Sequence, residues 1–373
     1  MIYLDYSATT PVNKEVLDTF NKASIEFVGN ANSSNRLGVK CNTLIEEATE
    51  QIKEILKLNN SEVIYTSGSS EANNLAIKGI ALKYQNRGKH IITTNFEHSS
   101  VYGPIAYLKS LGFEISYVNS NENGVVDIEH LKSLIREDTI LVSVNAVNSE
   151  IGILEPIDEI GEILKQYKKC FYHVDLTQAI GKIKANFENI DLASISAHKI
   201  YGLKGIGCLV KKNNIELEPL IHGGKSTSIY RSGTPVHPLI ASFSKAIRLS
   251  SYDIEKKYEY VKELNLYLQN ELSKYDNVYV NSNEQCIPHI LNISVLGIKA
   301  ETFMRYLSDR DIIISTKSAC HDEDSKSLSV YNLTNSEDLA KSSIRISISY
   351  LTSKEDIAEF LKVFAKAYEE LRK

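Results

Sequence analysis

No Cys-x-x-C pair occurs in this chain, and its five cysteines, Cys41, Cys170, Cys208, Cys286 and Cys320, are an odd number separated by long intervals. Neither a disulfide framework nor a zinc site is indicated. Nor is there a basic block able to follow a phosphate backbone: the net charge of −5 arises from acidic and basic residues interleaved along the sequence. Nucleic acid is therefore not a favoured partner. No apolar run approaches the ~20 residues that a membrane span requires. The opening Met1-Ile2-Tyr3-Leu4-Asp5 lacks the charged and then apolar stretch of a signal peptide. The expected location is cytoplasmic, without membrane contact. Internal repeats, low-complexity tracts and Pro-rich linkers are also missing, so the parts of the chain should be tightly coupled.

What is present is enough apolar sequence in 373 residues for two cores. From about 60 to 210, short β-branched runs alternate with amphipathic stretches, the pattern of a mainly parallel sheet wrapped by helices. Strands are expected at 63–66, 90–94, 114–118, 140–147, 171–174, 192–196 and 207–210, with helices at 74–84, 128–135 and 157–167. Several of the strands are apolar on both faces, as strands covered on both sides should be. A long helical region is expected over 238–273, followed by strands near 290–295 and 344–349 and helices near 301–309 and 354–371. The expected division is an N-terminal arm over 1–15 packing with the small domain, a large α/β domain over 16–248, and a small α+β domain over 249–373.

Three strand ends carry the candidate chemistry. The first expected strand runs into Ser67-Gly68-Ser69-Ser70-Glu71, a small and hydroxylic helix opening that suits a phosphate and equally suits a simple cap. Asp175 stands at the end of a buried strand, the edge at which open α/β sheets place ligands. An acid there can cap a helix; it is also what pyridoxal 5′-phosphate (PLP) needs, a carboxylate that keeps the pyridinium nitrogen protonated so the ring can act as an electron sink. Ser196-Ala197-His198-Lys199 then ends the next strand. A lone lysine is usually a solvated charge, but at a strand end after a matched Asp it suits a Schiff-base amine. Among the thiols, Cys170 and Cys208 adjoin apolar runs and read as small buried hydrophobes. Only Cys320 lies in a strongly polar segment, where a thiol is accessible.

With these motifs the chain resembles the class I cysteine desulfurases of the NifS/IscS type, PLP enzymes of the class V aminotransferase group. The resemblance runs from Ile2-Tyr3-Leu4-Asp5-Tyr6-Ser7-Ala8-Thr9-Thr10-Pro11 through Ser342-Ser343-Ile344-Arg345. It implies the aspartate-aminotransferase-like PLP fold type I, with a large domain built on a mainly parallel mixed sheet and a small α+β domain. It also implies that Lys199 carries the cofactor, that Asp175 pairs with the pyridinium, and that Gln178 lies near the ring oxygen O3′. Ser70, Ser196, His198 and, from a neighbouring subunit, Thr234 are then phosphate contacts, with Ser69 also at the cofactor, which makes a homodimer the expected assembly. The Glu97-His98 pair matches the family's, so His98 is expected to stack on the ring and handle protons. Arg345 takes the place of the arginine that grips the substrate α-carboxylate, with Ala8 and Thr9 beside the substrate. Cys320 matches the loop nucleophile.

The implied reaction converts L-cysteine to L-alanine, leaving a persulfide on Cys320 for an acceptor: an iron–sulfur scaffold, a tRNA-thiolation enzyme or a pathway-specific carrier. Other readings are a selenocysteine or cystine C–S lyase, or another PLP enzyme of the same fold, in which Cys320 is incidental, and a non-catalytic scaffold partner in a sulfur-transfer complex. Several positions depart from the family pattern. Ser149 replaces the second asparagine of Asn-Asn-Glu-Ile-Gly, which contacts O3′. Gly223-Gly224-Lys225-Ser226-Thr227 lacks a His-Glu pair, and Gly29-Asn30-Ala31-Asn32-Ser33-Ser34-Asn35 lacks its Pro and His. The nucleophile motif has Lys317 for Gly and continues into His321-Asp322-Glu323-Asp324, whose carboxylates disfavour a thiolate while Lys317 and His321 favour it. These departures mark a divergent member.

Overall fold

The structure is a computed structural model and describes residues 1–316 and 326–372. In chain order the elements begin with β1 (Ile2–Tyr3), α1 (Lys14–Glu26), α2 (Arg36–Leu56), β2 (Ser61–Thr66), α3 (Ser69–Tyr84), β3 (His90–Thr94) and α4 (Ser99–Ser110). Next come β4 (Glu114–Val118), α5 (Ile128–Leu134), β5 (Thr139–Asn145), α6 (Ile157–Leu164), β6 (Phe171–Asp175), β7 (Leu192–Ser196), a 3₁₀ turn (Ala197–Lys199) and β8 (Gly207–Lys212). The remainder is α7 (His237–Ser250), α8 (Ile254–Leu272), β9 (Val278–Val280), β10 (Ile290–Val295), α9 (Ala300–Ser308), β11 (Ile312–Ile313), α10 (Leu328–Thr334), α11 (Glu337–Lys341), β12 (Ser343–Ser347) and α12 (Lys354–Leu371).

Seven strands form the main sheet in the order β2-β8-β7-β6-β5-β3-β4. All neighbours run parallel except β8, which is antiparallel to both β2 and β7. Every residue of β3, β5 and β7 is buried, whereas the edge strand β4 is largely open to solvent. Helix α3 lies across β2, β5, β6, β7 and β8, with Leu75, Ala76, Ile77 and Ile80 buried and Glu71, Asn74 and Lys78 on its partly exposed side. Gly207 permits its close approach: a Cβ there would stand 2.8 Å from the Cα of Gly68 and 2.5 Å from the Ile195 carbonyl.

A second core gathers Val261, Leu264, Leu268, Phe303, Phe360 and Phe364 around the antiparallel sheet β12-β10-β9. Helix α12 opens with a reciprocal capping box between Ser353 and Asp356. The chain's first residues belong to this second core: β1 pairs in parallel with β11, Leu4 is fully buried in it, and Asp5 bridges to Ser347.

The structure departs from the sequence expectations in particular places. The helical stretch expected over 238–273 is two helices, because Asp253 adopts a left-handed conformation (φ 52°) that ends α7's course and restarts the chain as α8. Helices α1, α2 and α4 occupy stretches for which no element was expected, and α4 accommodates Pro104 inside it. The strand expected over 140–147 ends at Asn145, where the chain turns into the site.

Candidate active site

The C-terminal ends of β3, β5, β6 and β7 and the opening of α3 converge on a cavity of about 260 Å³. Its walls include Ser69, Ser70, His98, Ser149, Asp175, Gln178, His198, Lys199 and Arg345, together with Ala8 from the arm. Residues spread over more than three hundred positions of sequence thus meet at the edge where parallel sheets bind ligands.

At the floor, Asp175 ends β6 with both carboxylate oxygens engaged. Oδ1 accepts from the Thr177 N–H at 2.9 Å, and Oδ2 accepts from Asn73 Nδ2 at 2.8 Å. Asn73 sits fully buried within α3 and also donates to Ser100 Oγ at 2.9 Å. Ser100 closes on His98: its N–H donates to Nδ1 at 3.2 Å, and its hydroxyl lies 2.8 Å from the same atom. An Nδ1 that accepts a backbone N–H places the proton of the neutral imidazole on Nε2. Asp175 and His98 are therefore ends of one hydrogen-bonded chain.

Lys199 follows β7 on the 3₁₀ turn, and its Nζ donates to the carbonyls of Ser7 and, at 2.8 Å, Ala8. The Ser7 carbonyl also accepts from Gln178 Nε2 at 2.9 Å, and Gln178 Oε1 accepts from Lys182 Nζ at 2.6 Å. Burial pushes the Lys182 ammonium down to about 7, with the nearby Lys199 and Arg345 cations adding to the effect. His198 is likewise lowered to about 4, by burial and then by neighbouring lysines, so it is neutral near pH 7. Its Nδ1 lies 3.2 Å from Thr9 Oγ1.

Arg345 comes from β12. Its Nη2 pairs with Asp5 Oδ1 at 2.8 Å and Nη1 donates to the Ser149 carbonyl at 2.9 Å, while Nε has no partner among the described residues. Two other buried polar atoms on cavity-lining residues are also unpartnered there, Thr177 Oγ1 and Asn145 Oδ1. Buried polar atoms are normally satisfied, so this cavity is built to receive a polar ligand. Helix α3 begins at Gly68 without a side-chain cap, so its first N–H groups are available to an anion.

Most of the expected site residues line this one cavity. Ser196 and Thr9 stand just behind it: Ser196 Oγ lies 3.5 Å from where a Gly68 Cβ would be, and Thr9 touches His198. Thr234 is exposed and lies outside the cavity of its own chain. Cys320 lies outside the described residues. Sequence reasoning missed Asn73, Ser100, Asn145 and Thr177. Asn145 had a signal: it is the β5 residue paired in register with Asp175, a polar side chain ending a fully buried strand.

Glu97, next to His98, is buried away from water, which raises its carboxyl to about 8. Its Oε1 collects donors from Thr94 Oγ1 at 2.7 Å and the Asn145 N–H at 2.9 Å, fixing the turn that presents His98. Among the described residues no helix is long and apolar enough to cross a membrane.

The aminotransferase class-V pattern matches residues 2–360. Among curated proteins, the cysteine desulfurase IscS of Dictyoglomus turgidum is 39% identical over 378 residues, spanning 100% of this chain and 95% of that protein. Among solved structures, a NifS-like protein superposes with a TM-score of 0.92 at 32% identity, covering 99% of this chain and 98% of the other. SspA, solved in complex with cysteine, gives a TM-score of 0.83 at 30% identity over 95% of this chain and 100% of its own. By pattern, sequence and fold together, the chain belongs to the aminotransferase class-V family.

Proposed function

We propose that this protein is a PLP-dependent cysteine desulfurase. The observation that carries the reading is the meeting of Lys199, Asp175, His98 and Arg345 on one cavity beside an uncapped helix opening. The donor set fits the cofactor. The N–H groups of Ser69 and Ser70 with the hydroxyls of Ser70 and Ser196 suit its phosphate, Asp175 suits a protonated pyridine nitrogen, and Lys199 supplies the amine that attaches it. Bound there, PLP would supply an electron sink for the charge that develops at the substrate α-carbon.

The chain's own residues divide the remaining work. Arg345, buried and held between Asp5 and the Ser149 carbonyl, is the cation for the α-carboxylate of L-cysteine. Lys199, once its amine is free, is the base that moves the α-proton, and the Ser7 and Ala8 carbonyls hold that amine in the site. His98 holds a proton on Nε2 to give to a departing or developing anion. The Cys320 thiol takes the sulfur, so that L-cysteine and Cys320–SH become L-alanine and Cys320–S–SH; the persulfide then passes to an acceptor protein. Thr234, exposed and outside its own cavity, is assigned to the phosphate of a second copy, which makes the working unit a homodimer.

The test is direct. Purified protein reconstituted with PLP should show a visible absorption band, lose it on borohydride reduction with the label on Lys199, and release one alanine for each persulfide formed from L-cysteine. A Cys320→Ser variant that yields sulfur at the wild-type rate would remove the persulfide step. A Lys199→Ala variant that keeps the reducible band would remove the cofactor assignment.

A further inference from the structure

Lys182 is a buried cation for which the mechanism above has no use. The turn that carries it depends on Gly181 at φ +75°, where a Cβ would also stand 2.8 Å from that of Ser250. This turn brings Lys182 back beneath the residue four positions earlier, and its Nζ stands 2.6 Å from Gln178 Oε1. Lys199 and Arg345 lie close enough to repel its charge, and the imidazole of His289 is disfavoured as a cation first by its burial and then by Lys182. Placing an amine in such company is costly, so a compensating role is expected of it.

Its effect is on polarity. An amide oxygen and nitrogen are close in shape, and a carboxamide in a cavity wall can present either. Here both ends are specified. The Ser7 carbonyl can only accept and takes an N–H from Nε2, while Lys182, with N–H bonds to give whether charged or neutral, takes Oε1. We infer that Lys182 is a positioning residue that holds the Gln178 carbonyl away from the ligand, so that Gln178 offers the cavity a hydrogen-bond donor suited to an oxyanion on the cofactor ring. This rests on the PLP reading above.

The full-length protein, stripped of cofactor and titrated with PLP, tests it through three variants. Lys182→Met removes the donor, Lys182→Arg keeps one, and Gln178→Glu replaces the amide nitrogen by an acceptor with Lys182 still present. Loss of a hydrogen bond to a charged group weakens binding about tenfold or more, so Lys182→Met should raise the dissociation constant for PLP by at least that. The pH midpoint of the visible band should rise, since losing a donor to the ring oxyanion leaves more negative charge beside the titrating nitrogen. Gln178→Glu should move the midpoint in the same direction, and Lys182→Arg should stay near wild type.

Wild-type affinity and midpoint in Lys182→Met would overturn the inference, as would an unmoved midpoint in Gln178→Glu. Thermal unfolding of the apoproteins identifies a variant that fails to fold; should Lys182→Met do so, Gln178→Glu decides alone. Wild-type protein that takes up no PLP sinks the cofactor reading and this inference with it, a result distinct from a normal wild type beside unshifted variants.

Discussion

Arg345 and Asp5, 340 positions apart, form a buried ion pair with Nη2 and Oδ1 separated by 2.8 Å and only 2% of the arginine side chain exposed. The pair ties β12 to the arm and stops the guanidinium from rotating away from the cavity. Removing one partner of a buried pair leaves an uncompensated charge, which costs about 3 kcal/mol or more. Asp5→Ala should therefore lower stability by that order in chemical denaturation and raise KM for the amino-acid substrate more than it lowers kcat. An unchanged KM would mean that Asp5 does not orient Arg345.

Asn73 connects the two polar ends of the site, donating to both Asp175 and Ser100. Asn73→Leu keeps the branched shape of the side chain but leaves the Asp175 Oδ2 without its donor. An unsatisfied buried acceptor costs about 1–3 kcal/mol. The expected outcome is a lower unfolding midpoint and weaker PLP uptake, measured by dialysis and absorbance. Unaltered uptake would show that Asp175 is held by other groups.

The same residues explain what could be read in advance. Asp175 and Lys199 were legible because a buried strand announces its own end: the period-2 or fully apolar run stops, and the next polar residue is at the ligand edge of the sheet. Asn73 was not, since it is one polar residue among several in the opening turns of α3, and its partner is 102 positions away. Helix α4 carries Pro104 inside it, and proline in a helix interior usually ends one, so its sequence is a weak helix signal. Lys182 has no local signal of burial; the turn at Gly181 carries it into the interior. The pairing of Asp5 with Arg345 depends on β1 joining β11, a contact between the two ends of the chain that no local pattern contains.

Glu97 gives a pH signature. Its carboxyl is raised from 4.5 to about 8, mainly by burial and further by the charge of Asp175. A carboxyl that binds its proton more tightly folded than unfolded adds stability that is full below the unfolded value and is lost as pH rises toward about 8. Glu97→Gln keeps an oxygen for the Thr94 and Asn145 donors and removes the titration. The variant should therefore gain on wild type in melting temperature as the buffer is taken from pH 5 to pH 8.5. A constant difference across that range would mean that Glu97 is ionised in the folded protein.

Ser149 is the departure from the family pattern that lies in the cavity wall itself. Its tie to Arg345 uses the backbone carbonyl, at 2.9 Å from Nη1, so a change of side chain leaves that contact in place. Ser149→Asn lengthens the side chain and adds an amide donor facing the position expected for the cofactor's ring oxygen. A second donor beside Gln178 should lower the pH midpoint of the visible band and tighten PLP binding, by about 1 kcal/mol for one added hydrogen bond. The KM for substrate should change little, because Arg345 is undisturbed. Spectra and affinity identical to wild type would show that Gln178 alone meets the ring oxygen and that the serine at this position is neutral for cofactor chemistry.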